Sequence, residues 1–278
     1  MLRAVCLSFA VLATLWLQPV AASAQGRMIA IIAAATDDAS IGTSVQTNVD
    51  NVKLLLWQVK HIAGIDVDEF DAVGVDFNCA HITRILSGVP DENGHRLAVT
   101  PSDTLLFYYA GHGYRTEPAN HDKFPLLWCS EFERNGGTQD LSLSGAMARM
   151  AKLNPRLVIG IADACNSLLP QGPSKGVAVP TAKTLQSLFL HYRGSAAFSA
   201  SSPGEYAWYI TANAGGGGGL FTNKLLDDID GNKATWAAVA ADVIVPIVVT
   251  APEGNQVQTP QFDDFRGIPA RALTALGN

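Results

Sequence analysis

Three segments of this chain are apolar with almost no interruption: RMIAIIAAA from Arg27 to Ala35, DTLLFYYAG from Asp103 to Gly111, and RLVIGIADA from Arg156 to Ala164. A strand with one face in water alternates apolar and polar residues, so a strand apolar at every position must be covered on both faces. Between them lie helical patterns. From Val45 to Ala63 the residues Val49, Val52, Leu55, Leu56 and Val59 recur at helical spacing, and Gly64 follows as a C-cap. IDVDEFDAV predicts a second strand and CAHITRILSGV a helix, while Asp140 to Leu153 reads as a helix stopped by Asn154-Pro155. Further on, SAAFSAS predicts a short strand and GLFTNKLLDDI a helix, and TWAAVAADVIVPIVVTA reads as mainly helical. Strands alternating with helices predict an α/β fold whose central, mostly parallel sheet carries helices on both faces.

The other features bound where such a domain works. The chain has 278 residues, 48% hydrophobic and 16% charged, which suits a packed domain and excludes disorder. A net charge of -6 with no basic block excludes the electrostatic footprint of a nucleic-acid partner. The N-terminus reads as a signal peptide, an apolar run followed by Ala22 and Ala24, with cleavage expected after Ala24. An exported protein, periplasmic or secreted, is the expectation, with no membrane attachment after cleavage; Asp242 and Pro246 also argue against a later span. Export leaves Cys79, Cys129 and Cys165, an odd number, so at least one thiol is unpaired within the chain, and whether Cys79 and Cys129 pair is open. The expected organisation is a signal peptide over 1–24, a large part over 25–170, a linker loop over 171–183 and a small part over 184–278. The run Gly215 to Gly219 reads as a flexible loop and lacks the strand before it and the Lys-Ser/Thr after it that a phosphate loop needs.

Ligands of an open parallel sheet sit at the carboxyl ends of its strands. His112 and Cys165 each lie just past such an end. An imidazole that takes the thiol proton turns a poor nucleophile into a good one. The amides of Gly113 and Cys165 are candidates for an oxyanion hole. A metal site from His112, His121 and Cys129 matches no compact zinc spacing, so no metal ligands are assigned.

YAGHG followed by DACNS, with 53 residues from His112 to Cys165, resembles the paired histidine and cysteine motifs of the caspase family, and most nearly its bacterial, metacaspase-like branch. SPGEYAWY, GGGLFTNKLL and QTPQF resemble later family segments in family order, so the likeness runs from Arg27 to about Phe262. The resemblance implies a caspase-like fold and a cysteine endopeptidase acting on protein or peptide substrates, with Cys165 as nucleophile and His112 as general acid and base. It also implies an acidic S1 pocket for Arg or Lys, built on Asp163 with Asp50 as a second acid, and a subsite wall at Trp208. Tyr209 stands where caspases have a pocket arginine, and Glu205 is a pocket candidate by chemistry alone. The chain lacks the dense acidic cluster that metacaspases carry after the histidine, so no calcium site is recognisable and no cofactor is expected. Lys175 and Lys183, in the linker, are candidates for self-cleavage. A caspase-like module that binds or regulates without efficient catalysis is the alternative reading.

Overall fold

The computed structural model describes residues 26–90, 94–115, 122–129, 141–164, 167–169, 179–210, 217–251, 254–266 and 271–277. The three apolar runs form β1 (Met28–Ala34), β3 (Thr104–Gly111) and β7 (Leu157–Ala164), each buried at every position. Alternate residues of β1 enter two different cores. Met28, Ala30 and Ile32 join one, whereas Ile29, Ile31 and Ala33 join the other. On the first face lie α1 (Gly42–His61), α4 (Ala182–Leu190), α5 (Leu220–Asp230) and α6 (Trp236–Val243). On the second lie α2 (Cys79–Leu86) and α3 (Leu143–Lys152). Gly160 in β7 lets α3 approach closely: a Cβ there would stand 2.3 Å from the sulfur of Met147.

With β2 (Val67–Val73), β9 (Tyr192–Ser199) and β14 (Gln261–Asp263), the central sheet runs β14-β9-β7-β3-β1-β2. Pairing is parallel from β2 through β9; β14, and β15 (Thr274–Ala275), add antiparallel partners to β9. The chain steps from β1 outward to β2 and then back past β1 to β3. This reversal puts a topological switch point at the carboxyl ends of β1 and β3, the usual place for a ligand in such sheets. Short strands β4 (Gly113–Tyr114), β5 (Leu126–Leu127) and β6 (Leu141–Ser142) form a separate sheet that begins one residue after His112.

Three expectations are corrected. The run TWAAVAADVIVPIVVTA is not mainly helical, because α6 gives way before Pro246, which has no N–H to continue it, to a hairpin of β12 (Ile247–Ala251) and β13 (Gly254–Gln258). Within the glycine run, Gly218 and Gly219 are not loop but β11, buried and paired with β10 (Trp208–Ile210). Its other neighbour, β8 (Ser167–Leu169), runs parallel to β10. The linker also ends earlier than expected: Thr181 caps α4 by accepting a hydrogen bond from the Thr184 amide, so Thr181–Lys183 belong to the helix. Lys183 therefore sits in a helical first turn, and Lys175 lies outside the described residues.

Cys79, at the start of α2, is bonded to Cys129 just past β5, with the two Cα atoms 4.8 Å apart. The Cys79 amide also donates to the Cys129 carbonyl at 2.8 Å. The bridge closes a loop with a sequence separation of 50 and so narrows the unfolded ensemble strongly. Replacing both cysteines with serine should lower the unfolding free energy by about 2–4 kcal/mol, read from urea denaturation, and reduction of the wild type should give the same loss. Denaturation unchanged by either treatment would show that the bridge adds no stability.

Candidate active site

His112 follows β3 directly and is pinned through both its backbone and its ring. Its carbonyl accepts from the Tyr109 hydroxyl at 2.5 Å and from the Trp128 amide at 3.0 Å. Its ring, partly buried, lies 5.3 Å from the Trp128 ring, and its Nε2 meets Asp38 Oδ2 at 3.1 Å. Asp38 comes from the turn between β1 and α1. The other carboxylate oxygen, Oδ1, accepts from the Ser40 amide at 2.8 Å, the Ser40 hydroxyl at 2.6 Å and the Ile41 amide at 3.0 Å. Burial would raise the Asp38 pKa, but the Ser40 and Ile41 hydrogen bonds and the nearby His112 together hold it below the ordinary value. The ionised carboxylate thus favours the folded chain. That contribution is complete above the unfolded value of about 4 and drains away as pH falls through the lower folded value.

Asp163, near the end of β7, is fully buried. Its Oδ2 accepts from the Asn48 side-chain amide at 3.1 Å, the Thr222 amide at 3.3 Å and the Thr222 hydroxyl at 2.6 Å. The Thr222 hydroxyl also meets that of Tyr108, 2.9 Å away on β3. Gly219 must be glycine here, since a Cβ would stand 1.9 Å from Asp163 Oδ2. Its amide donates to Asn48 Oδ1 at 2.7 Å. Asp50 is not brought into this cluster. Two residues along a helix turn a side chain by about 200°, so Asn48 faces Asp163 while Asp50 is exposed and accepts from Gln46 at 2.8 Å.

Gly113 packs on the strand end that leads to the cysteine: a Cβ there would stand 2.5 Å from the Cβ of Ala164. Cys165 itself and His121 lie outside the described residues. Trp208 is buried beside Ile210, Leu220 and Val249, pairs in register with Ser167, and has an indole N–H with no acceptor among the described residues. Tyr209, on the opposite side of β10, is buried in the main core. The Glu205 carboxylate is taken up by a clasp. It accepts from the Thr259 amide at 2.7 Å, the Thr259 hydroxyl at 3.0 Å and the Ser202 amide at 3.3 Å, which ties QTPQF to the turn before β10. Asp38, Asn48 and Trp128 carried no motif, although the phase of α1 places Asn48 on the same stripe as Val45, Val49 and Val52, and Thr222 was given no role within GGGLFTNKLL.

The mostly parallel central sheet with helices on both faces defines an α/β fold, with His112 just past β3 and Asp163 near the end of β7. The model of the caspase domain family matches residues 46–263, and the chain belongs to that family. Membership supports a cysteine-peptidase type of function with protein substrates. Among solved structures, the caspase-1 of Spodoptera frugiperda is similar, at 14% identity, with 86% of each chain covered and a TM-score of 0.49. No curated protein matches.

Thr222→Val keeps the shape of the side chain and removes one donor to a buried carboxylate. It should cost about 1.5–3 kcal/mol of stability, the range for hydrogen bonds to charged groups. A loss below about 0.5 kcal/mol in urea denaturation would mean that Asp163 is held well enough without it.

Proposed function

We propose that the chain is a cysteine endopeptidase in which Cys165 is the nucleophile and His112 the general acid and base. The observation that carries this reading is the register of the two neighbouring strands: Gly111 pairs with Ala164, so β3 and β7 end level, one residue before His112 and one before Cys165. The imidazole takes the thiol proton, and the thiolate sulfur attacks the scissile carbonyl carbon. The amides of Gly113 and Cys165 hold the developing oxyanion. Collapse of the adduct expels the amine, which leaves with the proton from the imidazolium. Water, deprotonated by the same imidazole, then cleaves the thioester and returns the thiol.

Cleavage after Arg or Lys is the specificity we assign, because Asp163 is a fully buried carboxylate two residues before the nucleophile. A basic P1 side chain that leaves water needs such a partner. The indole N–H of Trp208, which has no acceptor among the described residues, suits an acceptor on the substrate in a neighbouring subsite. No metal or cofactor takes part in these steps. Work outside the cytoplasm accords with the Cys79–Cys129 bridge, since disulfides persist in oxidising compartments.

Cys165→Ala and His112→Ala should each abolish hydrolysis, and the double variant should be hardly worse, since members of one catalytic unit are not additive. Near-normal turnover in either single variant would end the assignment. On peptides differing only at P1, wild type should prefer Arg and Lys over Asp and Gln. Asp163→Asn should lower the rate on the basic substrates by roughly 100-fold or more, given about 3–5 kcal/mol for one lost partner of a buried pair and tenfold per 1.4 kcal/mol. Lower stability with unchanged P1 preference would instead make Asp163 a purely structural strand-end group.

A further inference from the structure

We infer that Asp38 is a positioning residue that fixes the tautomer of His112, so that the catalytic unit has three members rather than two. This rests on the reading of His112 as the base. The geometry is that of an orienting acid. Asp38 Oδ2 stands 3.1 Å from Nε2, and because an ionised carboxylate can only accept, the ring keeps its proton on Nε2 and donates it in a hydrogen bond, which leaves Nδ1 with its lone pair as the ring nitrogen open to a thiol. A base must offer a lone pair to the proton it takes, and the opposite tautomer would offer an N–H there instead.

The carboxylate is itself held. Its three contacts at Oδ1, from the Ser40 amide, the Ser40 hydroxyl and the Ile41 amide, leave little freedom to rotate away from the ring. The imidazole is confined on its other side by the Trp128 ring, and its backbone by Tyr109 and Trp128. Position in the fold gives the pair its reach: Asp38 follows β1 and His112 follows β3, and those strands are neighbours, with Ala34 paired to Ala110 and the Ala35 amide donating to the Ala110 carbonyl at 3.0 Å. A sequence separation of 74 residues thus becomes one hydrogen bond across the switch point.

Asp38→Asn separates this role from a merely structural one. The asparagine keeps an oxygen to accept from Ser40 and Ile41, so the turn is retained, but it presents an N–H to Nε2 and drives the ring proton to Nδ1. We expect kcat to fall roughly 10²–10⁴-fold, as when the orienting acid of a serine protease triad is made an amide, with KM changed less than about threefold. A kcat within threefold of wild type would overturn the role. Nitrogen-15 spectra of the imidazole test it without substrate: the neutral form of wild-type His112 should carry its proton on Nε2, and that of the variant on Nδ1. A wild-type ring protonated on Nδ1 would overturn the inference even if the variant did not fold. A wild type that shows the expected tautomer yet cleaves no peptide would sink the peptidase reading and leave the placement of Asp38 standing.

Discussion

A carboxylate with no exposure to water must be answered by donors from within the protein, and Asp163 draws those donors from most of the chain. Asn48 comes from α1, Thr222 from α5, and Tyr108 from β3 reaches the cluster through the Thr222 hydroxyl. Gly219 brings the backbone of β11 onto the same group. Elements on both sides of the 171–183 segment are therefore required to satisfy one charge. The same face of the sheet buries Val49 and Leu56 from before that segment together with Phe221, Leu225 and Trp236 from after it. The large and small parts are divisions of the chain rather than of the core.

The elements legible in the sequence were those whose pattern follows from burial alone. β1, β3 and β7 lie between two layers of helices, so they are buried at every position and, Asp163 at the end of β7 apart, carry no charged residue to break the signal. The hairpin of β12 and β13 was hidden because the apolar run from Trp236 passes through Pro246 without a change in composition, and only the proline marks the change of period. The pairing of Cys79 with Cys129 could not be chosen among the three pairs that three thiols allow, because α2 and β5 meet only in the folded chain. In the site, His112 and Asp163 stood out because each lies within a motif at a strand end. Asp38 did not. It is a polar residue in a polar turn, and only the adjacency of β1 and β3 gives it a partner. Asp50 came from the resemblance to the family's second pocket acid, whereas the phase of α1 turns Asn48 inward and leaves Asp50 exposed.

The topology explains why so few interactions suffice to hold the site. A parallel sheet aligns the carboxyl ends of its strands, so residues just beyond them converge without any long loop having to be built. The reversal between β2 and β3 keeps the space above β1 and β3 open. The separate sheet of β4, β5 and β6 follows His112 directly, and it is tied down by the Trp128 amide on the His112 carbonyl.

The bridge from Cys79 to Cys129 has a topological consequence for that histidine. The covalent ring it closes runs from Cys79 to Cys129 and contains β3 and His112. A single backbone cut anywhere in the ring leaves both new ends attached to the rest of the chain through sulfur. Surroundings rich in other proteases could nick this half of the molecule once without detaching the strand that carries the base. A cut beyond Cys129 falls outside the ring, and the two pieces it yields rely on the shared core to stay together.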